Sequence, residues 1–294
     1  MKEPYRKIKI ILPPPPAHMV GDGFRVHNFF PHYDTIGMTG MSPFFLMDYG
    51  SKIMIAPSER PKGVGVHPHR GFETVTIAYN GSVAHHDSAG NSGVIKEGDV
   101  QWMTAGAGVL HKEYHEKEFS KKGGLLQMVQ LWVNLPAKNK MTPAKYQAIE
   151  NKSMGRVSLG EKNGEAEIIA GEYMGVNGPA TTFTPISMLI LILKAGGKAA
   201  LSFPSAQNTC LLVIEGEIKL NEEKTVSENC LALFAHEGES ILIEGLKESK
   251  VLVLSGDPIN EPISAYGPFV MNTDAEIQEA FDDFYSGKFG HLED

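Results

Sequence analysis

The sequence predicts an all-β protein made of two similar antiparallel units, with one amphipathic helix near its end. Three observations lead to this prediction. The 31 glycines and 18 prolines divide the chain into short apolar segments, one of these β segments recurs later in the chain, and helical periodicity is clear in a single stretch. Short strands separated by turn residues are typical of antiparallel β folds.

The strand segments are rich in valine, isoleucine, leucine, phenylalanine and threonine and are bounded by turn residues. Eight segments are predicted strands: 72–79, 100–104, 126–134, 187–193, 209–214, 230–235, 240–243 and 251–255. Such residues pack well on a pleated, half-buried surface. The chain is therefore predicted to be mainly β.

An internal repeat groups these strands into two units. At an offset of 135, "HPHRGFETVTIAYNG" falls on "SFPSAQNTCLLVIEG", so that Thr74 meets Thr209 and Gly81 meets Gly216. Two copies of one supersecondary unit explain the shared order of strand, glycine turn and strand. The predicted boundaries are 1–136 for the first domain, 137–178 for a linker region, and 179–294 for the second domain with its helix.

The helix is predicted from "MNTDAEIQEAFDDFYSGKFG". Thr273 and Glu276 have capping-box spacing, and Gly287 is placed to terminate the helix. Apolar residues recur at i, i+3, i+4 and i+7: Ile277, Ala280, Phe281 and Phe284. This stripe predicts a docking face that serves stability rather than a cofactor contact.

Composition excludes several classes of partner. The net charge of -8 provides no broad basic surface for a phosphate backbone, which argues against direct binding of nucleic acid. The apolar stretch 8–12 is too short for a secretory segment and runs into four prolines, so a cytoplasmic protein without a membrane partner is expected. In that setting Cys210 and Cys230 are expected to be reduced thiols.

Two pairs of metal-binding residue types stand out in the first half of the chain. His67 and His69 are two residues apart, and so are His111 and Glu113. Residues i and i+2 of a strand project to the same face, so each pair can present two donor atoms to one point. Three imidazoles and a carboxylate suit a first-row divalent ion, and an octahedral ion would keep about two positions open.

The runs "HPHRGFETVT" and "GDVQWMTAGAGVLHKE", with "SPFFLMDYG" upstream and "GPFVMNT" and "GKFG" near the end, resemble the pirins, a branch of the cupin superfamily. The resemblance implies a bicupin with two antiparallel β-sandwich or barrel domains and a metal in the N-terminal one. The family's ligands fall on His67, His69, His111 and Glu113. Iron(II) is the first expectation for the single metal, with manganese, nickel, copper, cobalt or zinc as alternatives. The second domain is expected to be metal-free, because Ser202 and Pro204 replace the first histidine pair.

Other residues near the motifs receive secondary expectations. Glu73 is kept as a residue beside the ligands, with ligation as an alternative, because the general cupin pattern often uses a glutamate there. Phe44 and Phe45 are expected to line the pocket. Core roles are expected for Phe72, Trp102 and Met103, and no role for the other five histidines. Solvated loop positions are expected for His85, His86 and His115, with positions at the pocket mouth as the alternative.

Three functions remain open at this point. The first is a metal-dependent dioxygenase of quercetin 2,3-dioxygenase type, because bacterial pirin relatives include enzymes that open flavonols. Its substrate would be a small planar molecule that chelates a metal through oxygen, and Glu113 would take the substrate proton. The second is an iron-dependent redox-sensing co-regulator that binds a protein partner, and the third is a modulator that binds a metabolic enzyme.

Overall fold

The computed structural model describes residues 5–293. Residues 1–4 of the first predicted domain and residue 294 of the second lie outside this range. The strands of the first half are β1 (Ile8–Leu12), β2 (His18–Val20), β3 (Phe24–Phe30), β4 (Phe44–Ile55), β5 (Gly63–His69), β6 (Phe72–Asn80), β7 (Val83–Asp87), β8 (Ser92–Ile95), β9 (Val100–Thr104), β10 (Val109–His115), β11 (Gly124–Asn134) and β12 (Lys145–Ile149). The later strands are β13 (Gly155–Ser158), β14 (Gly164–Ala170), β15 (Glu172–Tyr173), β16 (Val176–Asn177), β17 (Ile186–Leu193), β18 (Lys198–Ser202), β19 (Asn208–Glu215), β20 (Glu217–Leu220), β21 (Lys224–Ser227), β22 (Leu231–Phe234), β23 (Ser240–Gly245), β24 (Ser249–Gly256), β25 (Ser264–Tyr266) and β26 (Phe269–Met271). The two α-helices of this range are α1 (Lys117–Lys122) and α2 (Asp274–Tyr285).

The strands form two units of the same design. One seven-stranded sheet has the order β12-β9-β6-β11-β4-β3-β2, and the other has the order β1-β22-β19-β24-β17-β14-β13. Each unit also has a four-stranded sheet, with the orders β5-β10-β7-β8 and β18-β23-β20-β21. The orders correspond strand for strand, which confirms the internal repeat and the predicted bicupin architecture. All eight predicted strand segments are present, with ends that shift by one or two residues.

The units are not continuous in sequence. The first unit contains residues 16–38, 43–151 and 259–293, and the second contains residues 5–15, 39–42 and 152–258. The C-terminal helix thus belongs to the first unit, whereas the sequence analysis assigns it to the domain 179–294. The predicted linker 137–178 contains β12, which pairs with β9, and also the pair β13 and β14.

The physical reason for these differences is edge pairing. A strand without a second neighbour has an open row of backbone hydrogen-bonding groups, so β9 and β22 gain their second partners from strands outside the repeated order. β12 covers β9 in the first unit, and β1 covers β22 in the second. The N-terminal strand therefore completes the second unit.

The interiors of the two units differ in chemistry. In the second unit the inward residues of β18 and β23 are Ala199, Leu201, Ile241 and Ile243, which belong to a large apolar core. The corresponding strands of the first unit, β5 and β10, carry histidines and a glutamate instead. Only the first unit therefore has polar residues at this place in the fold. Cys210 and Cys230 are free, and Cys210 is buried.

Helix α2 has the predicted capping. Thr273 accepts a hydrogen bond from the backbone N–H of Glu276, and the Glu276 carboxylate accepts one from the N–H of Thr273. Gly287, just beyond the helix, has the positive φ of 81° that a C-terminal cap requires. The predicted stripe packs on Phe269, Met271 and Phe289, so it is a docking face. Across residues 5–293, no helix combines the length and the apolar character needed to cross a membrane.

Candidate functional site

The three predicted histidine ligands converge on one point of the first unit. β10 pairs antiparallel with β5, and His111 lies opposite His67 in this pairing. The ring centroids are 4.2 Å apart for His67 and His111, 4.7 Å for His69 and His111, and 4.8 Å for His67 and His69. One donor atom from each of the three residues lies within 4.8 Å of the others.

The environment keeps two of these imidazoles, those of His69 and His111, neutral. His69 and His111 are buried, and burial, followed by the neighbouring imidazoles, holds their pKa values well below the usual range. A neutral imidazole is the form that binds a metal ion. Both ring nitrogens of His111 are buried without a hydrogen-bond partner in the described structure. A metal ion would satisfy one of these atoms, so the residues present fit the implied metal.

Backbone carbonyls orient the other two histidines. The Nδ1 atom of His67 lies 2.8 Å from the carbonyl oxygen of Gly65, and Nδ1 of His69 lies 3.3 Å from that of Pro268. A histidine that donates from Nδ1 keeps the lone pair on Nε2 for a metal. Both contacts therefore favour ligation through Nε2.

Glu113 lies beside this group but clusters with a different histidine. β10 also pairs with β7, where Glu113 faces His85, and donor atoms of His85, His111 and Glu113 lie within 4.8 Å of one another. The Oε1 atom of Glu113 is 3.2 Å from the Thr76 hydroxyl and 3.3 Å from the Gln101 amide nitrogen. The four predicted residues thus fall into two overlapping groups that share His111.

A cavity of about 340 Å³ opens on this cluster. Its polar wall contains His67, His69, Glu113, Gln130 and Asp48. Its apolar wall consists of Val20, Phe24, Val26, Val64, Met128 and Trp132, and Gly267 and Pro268 close one side. Burial raises the pKa of Asp48, although a hydrogen bond from Asn28 opposes this effect. Cavities for small organic ligands start at about 300 Å³ and are mostly apolar with a few polar groups.

Several secondary expectations need correction. Phe44 and Phe45 are buried but do not line the cavity, and the Phe45 ring stacks on Trp132 with centroids 6.3 Å apart. Glu73 accepts a hydrogen bond from the Thr104 hydroxyl. Thr76 lies three residues further along β6, and its hydroxyl faces Glu113. Because side chains alternate along a strand, Glu73 points to the opposite face from Thr76.

The core roles of Phe72, Trp102 and Met103 agree with their complete burial.

The flanking histidines are not loop residues. His85 and His115 are buried on strands, and His86 is bonded to the hydroxyl of Tyr114. For His85 the sequence contains a usable signal, because "HHD" places His85 and Asp87 at i, i+2 spacing on one strand face. Hydrogen bonds from His85 and Asn91 outweigh burial and hold the pKa of Asp87 below its usual value.

Comparison with known proteins agrees with the fold. The Pirin family model matches residues 23–133, and the Pirin C-terminal cupin domain model matches residues 188–290. A crystal structure of quercetin 2,3-dioxygenase from Acinetobacter baumannii is 49% identical, covers 98% of this chain and 100% of its own, and superposes with a TM-score of 0.92.

Curated relatives span most of the chain as well. A Pseudomonas aeruginosa protein, named as a candidate quercetin 2,3-dioxygenase, is 46% identical over 92% of this chain and 94% of its own. A pirin-like protein of Solanum lycopersicum is 38% identical over 86% of this chain and 84% of its own. Both family models, these relatives and the bicupin fold agree, and the chain belongs to the pirin family.

Proposed function

We propose that this chain is a metal-dependent dioxygenase that opens flavonol-type substrates with molecular oxygen. The observation that carries the proposal is the cavity in which an apolar wall meets His67, His69 and Glu113. A planar aromatic substrate with adjacent hydroxyl and carbonyl oxygens matches both walls. The likeness to the Acinetobacter baumannii structure, titled quercetin 2,3-dioxygenase, supports this substrate class.

In this proposal His67, His69, His111 and Glu113 hold one divalent transition metal, with iron(II) as the first expectation. Manganese, nickel, copper, cobalt and zinc are the alternatives, because a borderline ion accepts imidazole and carboxylate ligands together. When bound, such an ion supplies a Lewis acid that binds the substrate oxygens and favours the ionised hydroxyl. The orphaned nitrogens of buried His111 are the structural support for a bound ion.

The protein's own residues position the substrate and receive its proton. Trp132 and Phe24 offer aromatic surface to the substrate rings. The Gln101 amide donates to Oε1 of Glu113 at 3.3 Å, and the Thr76 hydroxyl, whose shorter contact is with Gln130 at 2.6 Å, lies 3.2 Å from the same oxygen. The Oε2 atom can then act as ligand and as acceptor of the hydroxyl proton. Apolar walls around the site exclude water from the ionised substrate.

The test is oxygen consumption with quercetin by protein loaded with iron, manganese, nickel or copper. A flavone that lacks the 3-hydroxyl group is the matched control substrate, and we expect no turnover with it. Glu113→Gln keeps the shape but removes the base, so we expect turnover per bound metal to fall by about 100-fold or more. Metal content is measured in parallel, because Glu113 is also a proposed ligand.

Two results would contradict the proposal at different levels. Equal turnover per bound metal in Glu113→Gln would contradict the role of Glu113 alone. Absence of oxygen consumption with all four metals would contradict the enzyme itself. The second result would favour the alternative function, an iron-dependent co-regulator or modulator that binds a protein partner.

A further inference from the structure

His85 is a completely buried histidine next to the proposed metal ligands. It lies on β7, opposite Glu113 of β10, and Asp87 of the same strand lies opposite His111. Its ring centroid is 5.4 Å from that of His111. Donor atoms of His85, His111 and Glu113 lie within 4.8 Å of one another. His85 is therefore a fifth side chain of a metal-binding type, next to the four proposed ligands.

Asp87 fixes the proton on the His85 ring. The Oδ1 atom of Asp87 accepts hydrogen bonds from the backbone N–H groups of Ala89 and Asn91, at 3.0 and 2.9 Å. Its Oδ2 atom accepts from the Asn91 amide at 3.0 Å and lies 3.3 Å from Nε2 of His85. A carboxylate can only accept a hydrogen bond, so Nε2 of His85 is the protonated nitrogen and donates to Oδ2 of Asp87.

The remaining nitrogen of His85 then has a lone pair without a partner. Nδ1 is buried and has no hydrogen-bond partner in the described structure. In a neutral imidazole with its proton on Nε2, Nδ1 is an acceptor or a metal ligand. Leaving such an atom buried and unpaired is costly. Tyr146 stacks on the ring with centroids 5.3 Å apart and planes 15° apart, so the orientation of the ring is fixed.

We propose that His85 is a further metal donor, which completes with His111 and Glu113 an inner position for the metal ion. Two imidazoles and one carboxylate form the donor set that suits iron(II) in enzymes with open coordination positions. In this proposal the inner and outer positions share His111 and Glu113, so both would serve the single ion of the proposed centre. This inference rests on the metal centre of the proposed function.

The variant test compares His85→Ala with His86→Ala in the whole protein, with cobalt(II) binding measured by calorimetry. His86 is the matched control, because it is the next residue on β7 and is bonded to Tyr114 instead of the cluster. We expect His85→Ala to weaken cobalt binding about tenfold or more, and Asp87→Asn to weaken it about 10- to 100-fold. His86→Ala should bind cobalt like the wild type. Wild-type affinity in His85→Ala would overturn the inference.

A second measurement uses the wild-type chain and does not depend on the folding of a variant. The protein is labelled with ¹⁵N-histidine and titrated with ¹¹³Cd(II), and nuclear magnetic resonance detects coupling between cadmium and each ring nitrogen. We expect coupling at Nδ1 of His85 as well as at His111. Coupling at His67, His69 and His111 without any change at His85 would overturn this inference and leave the proposed centre intact. Unchanged spectra for all four histidines would contradict both.

Discussion

Burial sets the charge of the Glu73 carboxyl group. Its Oε1 atom accepts a hydrogen bond of 2.6 Å from the Thr104 hydroxyl, whereas Oε2 is buried without a hydrogen-bond partner in the described structure. Burial raises the pKa of Glu73 to about 7, although the hydrogen bond from Thr104 opposes the increase. The native protein therefore binds a proton at Glu73 between pH 4.5 and about 7, where the unfolded chain has released it.

We predict that Glu73→Gln becomes increasingly stabilising relative to the wild type as the pH rises from 4.5 to 7. A raised native pKa gives stability that is present at low pH and is lost as the pH rises through the native value, and glutamine cannot ionise. At about 1.4 kcal/mol per pKa unit, the difference in unfolding free energy reaches at most about 3 kcal/mol. Urea unfolding of both proteins at pH 5 and pH 8 measures it.

Metal content provides the control for this substitution. Because Glu73 points away from the histidine cluster, Glu73→Gln should bind as much metal per folded molecule as the wild type. If Glu73→Gln and the wild type differ in stability by the same amount at pH 5 and pH 8, the raised pKa of Glu73 is contradicted. If Glu73→Gln loses metal, Glu73 is a metal ligand after all.

Residue spacing in the sequence predicts the histidine cluster but not its surroundings. The HxH and HxE pairs identify two strand faces because the side-chain period of a strand is two. His67 and His111 come together because β5 pairs with β10. Residue spacing does not predict this pairing, and only the family resemblance implied it. The burial of His85 depends on the packing of Tyr146 from β12, a strand that the sequence analysis assigns to a linker.

Helix α2 is joined to the segment that carries the histidine pair. Arg70, directly after His69, donates a 2.7 Å hydrogen bond from Nη2 to Asp283 of the helix and another from Nε to the carbonyl oxygen of Ala107. Its guanidinium also lies 4.8 Å above the ring of Phe289. The helix therefore has a polar anchor next to a proposed ligand in addition to its apolar docking face, and its stabilising role stays a prediction.

We predict that Asp283→Ala lowers both the melting temperature and the affinity for cobalt(II). The buried guanidinium of Arg70 would lose its charged partner, which is strongly unfavourable. A loosened helix would also disturb the segment in which Pro268 contacts Nδ1 of His69. Thermal unfolding and calorimetry measure the two effects.

Asp282→Ala is the matched control for this prediction. Asp282 is the adjacent acidic residue, and it bonds Gln278 on the exposed side of the same helix. We expect a near wild-type melting temperature and metal affinity for this variant. Equal effects of the two substitutions would show that helix propensity, and not the contact with Arg70, explains the loss.

The sequence contains the signals for the helix itself but not for its place of docking. The capping box of Thr273 and Glu276 and the apolar stripe are local patterns, so the limits of α2 agree with the structure. Asp283 is buried on the docking face. The apolar pattern of the helix does not predict a carboxylate at this position. Its partner Arg70 is 213 positions away, and no local pattern specifies such a contact.

At the scale of the whole molecule, we predict one tightly bound transition metal per chain. The second unit has alanine, leucine and isoleucine where the first unit has its histidines, and within residues 5–293 both candidate metal clusters lie in the first unit. Elemental analysis should give one ion for the wild type and a large loss for His67→Ala and His111→Ala.

His236→Ala is the control for metal stoichiometry. It removes an imidazole from the second unit, where His236 contacts Asn208, and should still bind one ion. Full metal occupancy in both first-unit variants would contradict the ligand assignment. A second ion enclosed by residues 187–256 would contradict the metal-free second unit.

The repeat predicted two similar units, and the sheet orders confirm them. The exchange of chain segments between the units was not predictable, because β1 is a short apolar strand with no local preference for β22 over β9. Strand pairing at such separations is decided by the edges left open after each sheet has formed.

The return of residues 259–293 to the first unit also sets an order of events during synthesis. A domain usually folds soon after it leaves the ribosome. Here the cavity wall at Gly267 and Pro268 and the partner of Arg70 are translated after the entire second unit. A nascent chain that ends at residue 258 would have all the proposed ligands and no closed pocket. The contact of Pro268 with Nδ1 of His69, which orients this proposed ligand, can therefore form only after translation of this segment.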